Sequence, residues 1–129
     1  MIIDTSALIA VIRDEPEGPG FLGSMLGGQV RISASTLLEA HIVTSGRWGD
    51  TGARKLDALL REVIATVVPV DEVQARIAID AHRRFGRGSG HRARLNYGDC
   101  FSYALAIAHD EPLLFKGDDF VHTDVRAAV

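Results

Sequence analysis

A chain of 129 residues, 47% of them apolar and 24% charged, is long enough to bury one hydrophobic core and too apolar to be disordered. Its net charge of −3, from 14 basic against 17 acidic residues, argues against binding polyanions through bulk charge. The longest uncharged apolar runs, such as Met1–Ile3 and Ser6–Ile12, are too short to cross a bilayer, and the single Cys100 leaves neither an internal disulfide nor a Cys-based zinc site. The apolar start is broken at Asp4 and has no basic leader. No signal peptide is therefore expected, and a reduced, cytoplasmic setting is.

In chain order, Met1–Asp4 reads as a short buried strand, and Thr5–Arg13 as a helix capped by Asp4 or Thr5. Glu15–Gly28, with Pro16, Pro19 and several glycines, reads as a turn and a short helix around Phe21–Leu26. Gln29–Ser33 is the second strand. A helix capped by Ser35 or Thr36 is predicted to run to about Gly46, and another from Thr51 through Ala65. Thr66–Val70 is the third strand. Asp71–Phe85 is a helix with Val73, Ile77 and Ala81 on one face and Ala78 and Ile79 beside it. Gly86–Asn96 is a Gly- and Arg-rich loop, Tyr97–His109 a helix, and Leu113–Phe115 a short strand. This alternation predicts a single α/β domain over 1–129, with a mostly parallel central sheet flanked by helices on both faces.

Ligands of an open parallel sheet collect outside the carboxyl ends of its strands. Asp4 directly follows the first strand, and Asp118 and Asp119 follow the last one after Gly117. Asp99 lies in the first turn of the preceding helix, where exposed backbone N–H groups favour an anion. Glu39 interrupts the apolar run Leu37, Leu38, Ala40, Ile42, Val43, and a carboxylate there is costly unless paired or bound to a metal. Convergence of Asp4, Glu39, Asp99 and Asp119 would call for a cation. An all-oxygen donor set suits Mg²⁺ or Mn²⁺, which activate water and stabilise a phosphoryl group under attack. Singly, each acid is equally well explained as a cap, a turn residue or an arginine partner. It is their joint placement that points to a site.

The charge distribution adds a second feature. No acid lies between Asp80 and Asp99, a stretch holding Arg83, Arg84, Arg87, Arg92 and Arg94, and twelve of the fourteen basic residues are arginine. Arg87, Arg92 and Arg94, with Lys116, are the candidates for gripping phosphates. The glycine-rich Gly86–Gly90 lacks the Rossmann spacing, no phosphate-loop sequence is present, and the five histidines show no metal-ligand pairing. A haloacid-dehalogenase-like phosphatase with Asp4 as nucleophile would need an aspartate where Ser6 stands. A non-catalytic module whose acidic groove captures a basic partner is the other alternative.

Three segments carry a family likeness. Met1-Ile2-Ile3-Asp4-Thr5-Ser6-Ala7-Leu8, Leu95-Asn96-Tyr97-Gly98-Asp99-Cys100-Phe101-Ser102-Tyr103-Ala104 and Pro112-Leu113-Leu114-Phe115-Lys116-Gly117-Asp118-Asp119-Phe120 resemble the PIN domain. More narrowly, they resemble the VapC toxins of bacterial type II toxin–antitoxin systems. The resemblance spans essentially the whole chain. It implies a Mg²⁺- or Mn²⁺-dependent endoribonuclease that halts translation, forms a homodimer, and is held inactive by a VapB-type antitoxin. Operator DNA would be contacted only through that antitoxin. The family's first three acids fall on Asp4, Glu39 and Asp99, and Ser6 matches a small hydroxyl residue able to hold a water at the ion. Where many relatives carry a fourth aspartate this chain has Gly117, so that role passes to Asp119 or Asp118, with Asp119 favoured and one ion or two both open.

Overall fold

The computed structural model describes residues 1–129. The elements are β1 (Ile2–Ile3), α1 (Thr5–Ile12), α2 (Gly18–Leu26), β2 (Arg31–Ser33), α3 (Ala34–Glu62), β3 (Thr66–Val68), α4 (Glu72–Phe85), α5 (Tyr97–His109), β4 (Leu113–Leu114) and a 3₁₀ turn at Phe120–His122. The four strands form one sheet in the order β3-β2-β1-β4, and every pairing is parallel. The chain moves outward from β1 through β2 to β3, then returns by α4 and α5 to place β4 on the other side of β1. That reversal is the topological switch point at which such sheets bind ligands.

Because strand side chains alternate between faces, the neighbouring strands β1 and β4 each serve two cores. Ile2 and Leu113 face a cluster with α4 and α5, and Ile3 and Leu114 face one with α1, α2 and α3. Four strands of two or three residues suffice because helices bury both faces. No helix is long and apolar enough to cross a membrane.

Several boundaries and one face differ from the sequence reading. The two helices expected to end near Gly46 and to start at Thr51 are both present, and within α3 they meet at a kink at Gly49 (φ 59°, ψ −148°), a conformation reserved for glycine. Past that kink the chain doubles against itself so closely that a Cβ at Gly52 would lie 2.4 Å from the Thr44 carbonyl oxygen. Helix α2 begins earlier than expected, at Gly18, because Pro19 suits the first turn of a helix. The third strand ends at Val68 rather than Val70. On α4 the buried stripe is Gln74, Ala78, Ala81 and Phe85, with Ile77 packed beside it, whereas Val73 and Ile79 are 62% and 67% exposed. The same 3.6-residue period fits both stripes. Small residues win the face against α5 because the two helices pack closely, and size does not register in a hydrophobic pattern.

Candidate active site

At the carboxyl end of β1 the chain turns straight into α1, and Asp4 occupies the turn. It caps the helix: Oδ2 accepts from the Ser6 backbone N–H (2.9 Å) and the Ser6 hydroxyl (2.6 Å), and Oδ1 accepts from the Ser102 hydroxyl (2.7 Å). Asp99 closes a capping box at the start of α5, its Oδ2 accepting from Asn96 N–H at 3.0 Å while Asn96 Oδ1 accepts from Asp99 N–H at 2.9 Å. Glu39, one turn into α3, accepts from the Thr5 hydroxyl at 2.5 Å. The plain capping explanation for Asp4 and Asp99 is thus correct as local structure. It leaves Asp99 Oδ1 and Glu39 Oε2 without a hydrogen-bond donor.

These three carboxylates line one open pocket of about 370 Å³, together with Thr5, Ser6, Asn96, Glu15, Arg47 and Lys116. A larger cavity, about 480 Å³, lies at the amino ends of β2 and β3, where Glu62 is the sole carboxylate among its walls. It has the space but not the chemistry. Around the acidic pocket the electrostatics are unusual in one respect. No lysine, arginine or histidine lies within 4.0 Å of Asp4, Glu39, Asp99, Asp118 or Asp119, although many other acids of the chain have such a partner.

The crowding registers in the protonation of the acids. Burial, reinforced by the charges of Asp4, Asp119 and Glu39, pushes the Asp99 carboxyl up from 3.8 to about 7, against the opposing hydrogen bond from Asn96. Glu39 is raised as well, by burial first and Asp4 next, while the Thr5 hydrogen bond pulls it down. The carboxylates are not drawn into a closed cage of three ligands. They line an open space, and no basic side chain lies within 4.0 Å of them. Such a donor set fits a hard divalent cation, whose charge would offset the burial and the neighbouring carboxylates that raise Asp99.

Neither of the two acids after β4 lines the pocket, but the charge of Asp119 is among those that raise Asp99. Asp119 stands at the cap position of the 3₁₀ turn without a capping hydrogen bond, so its carboxylate is uncommitted. Gly117 has φ +101°, a left-handed conformation that disfavours any side chain at that position. Ser6 gives its proton to Asp4 and accepts from the Lys116 backbone N–H (3.0 Å), which makes it an orienting group for Asp4.

The basic residues separate into two groups. Lys116, a candidate for gripping phosphates, reaches the pocket, but its ammonium is paired with Glu15 and, at 3.1 Å, Glu17 in the α1–α2 turn and is largely neutralised. Arg87, Arg92 and Arg94 are exposed and unpaired but do not line the pocket. The sequence reading missed Arg47, which does line it and has no carboxylate partner. Its signal was its place on α3, four residues beyond Val43 and eight beyond Glu39, on the same helical face. Thr5 and Ser102 were also missed as partners of the acids, and Thr36 as a partner of Ser102, their hydroxyls being unremarkable until the fold brings them together.

The parallel sheet, its switch point and the acids gathered there define a PIN domain, and the family model of that domain matches residues 1–126. The chain belongs to the PIN-domain family. It is similar to ribonuclease VapC28 of Mycobacterium tuberculosis, 49% identical over 130 aligned positions that cover 100% of this chain and 98% of that one. It is also similar to ribonuclease VapC of Mycolicibacterium smegmatis, 49% identical over 128 positions and 98% of each chain. Among solved structures, VapC20 of M. tuberculosis, described as a sarcin-ricin loop cleaving toxin, matches with a TM-score of 0.74 over 96% of this chain and 95% of its own. At 16% identity that likeness is one of fold.

Proposed function

We propose that the chain is a divalent-metal-dependent endoribonuclease, the toxin of a type II toxin–antitoxin pair. The observation that carries this reading is the pocket at the switch point. Asp4, Glu39 and Asp99 line it together, with no basic group within 4.0 Å of any of them. The relatives named as ribonucleases, matched end to end at 49% identity, support the same activity.

In this reading Asp4, Glu39 and Asp99 hold Mg²⁺ or Mn²⁺, and Asp119 completes or orients the shell. The ion supplies Lewis acidity toward a phosphodiester and activation of a water. The protein's own contribution is placement. Ser6 and Ser102 fix the Asp4 carboxylate, Thr5 fixes Glu39, and the capping box fixes Asp99. Arg47 stands at the pocket wall as the cation free to meet a phosphate beside the scissile one, with Arg87, Arg92 and Arg94 available to more distant phosphates. An antitoxin of the VapB type would hold the toxin inactive and carry any contact with operator DNA. The protein would act as a homodimer in the cytoplasm.

The test is cleavage of RNA by purified protein with Mg²⁺, with EDTA, and with Mg²⁺ restored. Cleavage that is lost to the chelator and regained with the ion is expected. Cleavage indifferent to EDTA, or none on any RNA offered with Mg²⁺ or Mn²⁺, would instead favour an acidic groove that captures a basic partner.

A further inference from the structure

Behind the acidic pocket lies a polar pair that no contact with substrate explains. Ser102 on α5 and Thr36 on α3 are 0% and 1% exposed, and their hydroxyl oxygens lie 3.1 Å apart. A buried hydroxyl pair between helices is costly where apolar side chains would fill the space, unless each group is fully engaged. Their protons can be assigned. Each hydroxyl has a single proton to donate. Ser102 donates its own to Asp4 Oδ1 at 2.7 Å, since a carboxylate only accepts. The bond between the two hydroxyls must therefore run from Thr36 to Ser102. The result is a one-way relay, Thr36 to Ser102 to Asp4.

A matching relay reaches the other oxygen. The Lys116 backbone N–H donates to Ser6 Oγ at 3.0 Å, and Ser6 donates to Asp4 Oδ2. Asp4 thus accepts three protein hydrogen bonds across two oxygens. A carboxylate offers roughly four lone-pair sites, which leaves about one for a cation. The helices share a design as well. Thr36 and Glu39 are three residues apart on α3, and Asp99 and Ser102 three apart on α5. On each helix an acid therefore faces the pocket and a hydroxyl sits on the same side, deeper in.

From this geometry we infer that Ser102 and Thr36 are positioning residues for metal binding: the buried Thr36–Ser102 relay fixes the orientation of Asp4 Oδ1 and thereby sets the affinity of the pocket for a divalent ion. The inference rests on the metal-dependent reading above. Its consequence is a hierarchy. Ser102 acts on Asp4 directly, whereas Thr36 acts only through Ser102.

The experiment is calorimetric titration of the whole protein with Mn²⁺ alone, in the wild type, Ser102→Ala, Thr36→Val, Thr36→Ser and the Ser102→Ala/Thr36→Val double variant, with thermal unfolding in EDTA recorded for each. Ser102→Ala is expected to weaken Mn²⁺ binding by about 10–100-fold, the usual range when a group that orients a metal ligand is lost. Thr36→Val should weaken it less and Thr36→Ser not at all, because serine keeps the donor. In the Ser102→Ala background Thr36→Val should add nothing. A merely structural role would lower the unfolding temperature in EDTA while leaving the Mn²⁺ affinity of the folded protein unchanged, and that result overturns the inference. So does equal affinity in Thr36→Val and Thr36→Ser, a comparison that holds even if Ser102→Ala does not fold. A wild-type protein that takes up no Mn²⁺ overturns the metal reading itself, an outcome distinct from both.

Discussion

The Gly98 backbone runs directly beneath the Glu39 carboxylate: a Cβ at position 98 would stand 1.8 Å from Glu39 Oε2. Two helices distant in sequence thus meet at the pocket with no side chain between them. Because the obstructing atom is the free end of a flexible side chain, Gly98→Ala forces Glu39 to move without straining the backbone.

Gly98→Ala therefore separates activity from stability. Alanine in the first turn of α5 gains up to about 1 kcal/mol of helix propensity over glycine. The unfolding temperature should hold or rise, while RNA cleavage falls by about tenfold or more as Glu39 swings out of place. Thermal unfolding and cleavage rates on the same preparation check this. Unchanged cleavage would show that Glu39 is not needed where it lies.

Burial, and then the charges of Asp4, Asp119 and Glu39, raise Asp99 to about 7 from 3.8. The folded, metal-free protein binds this proton more tightly than the unfolded chain does. The associated stability is present in full below the unfolded value of 3.8 and is lost as pH rises through about 7. Asp99→Asn, which keeps an oxygen for the capping box, should flatten the fall in unfolding temperature over that range in EDTA. An ion entering the pocket must displace the same proton, so Mn²⁺ affinity should drop by about tenfold per pH unit below pH ~7. A pH-independent affinity there would contradict the raised carboxyl.

Arg47 and Lys116 both line the pocket, but only Arg47 lacks a carboxylate partner. Arg47→Ala should weaken RNA binding and reduce its salt slope by about 0.7, the value for one phosphate contact on a single strand. Lys116→Ala should change the slope far less, because Glu15 and Glu17 already neutralise that ammonium. Binding measured across salt concentrations with EDTA present distinguishes them, and equal slopes would place the phosphate grip elsewhere.

Asp119 and Asp118 are adjacent, and the charge of Asp119 is among those that raise Asp99. Cleavage should fall by about tenfold in Asp119→Asn, in line with loss of a group that completes or orients a metal shell, and stay near wild type in Asp118→Asn. The reverse order in a cleavage assay would reassign the fourth acid.

Much of this was legible in the chain itself. The strand–helix alternation gave the parallel sheet, and Asp4 and Asp99 stood out because turns and helix starts are marked by local chemistry. What stayed hidden depends on contacts across the sequence. Ser102 lies 98 residues from the carboxylate it serves, and nothing near it distinguishes its hydroxyl from any other in a helix. The pairing of Lys116, a candidate phosphate contact, was hidden because Glu15 and Glu17 are about a hundred residues away in the chain. The buried face of α4 was misread because hydrophobicity favours Val73 and Ile79, whereas close packing on α5 selects Ala78 and Ala81.

The most direct test of the account is a crystal structure of the protein grown with Mn²⁺, with the ion located by its anomalous scattering. The account predicts a peak in the pocket, about 2.0–2.4 Å from oxygens of Asp4 and Asp99, with Glu39 bound directly or through a water. A Mn²⁺ peak elsewhere, with these carboxylates unliganded at saturating ion, would contradict it.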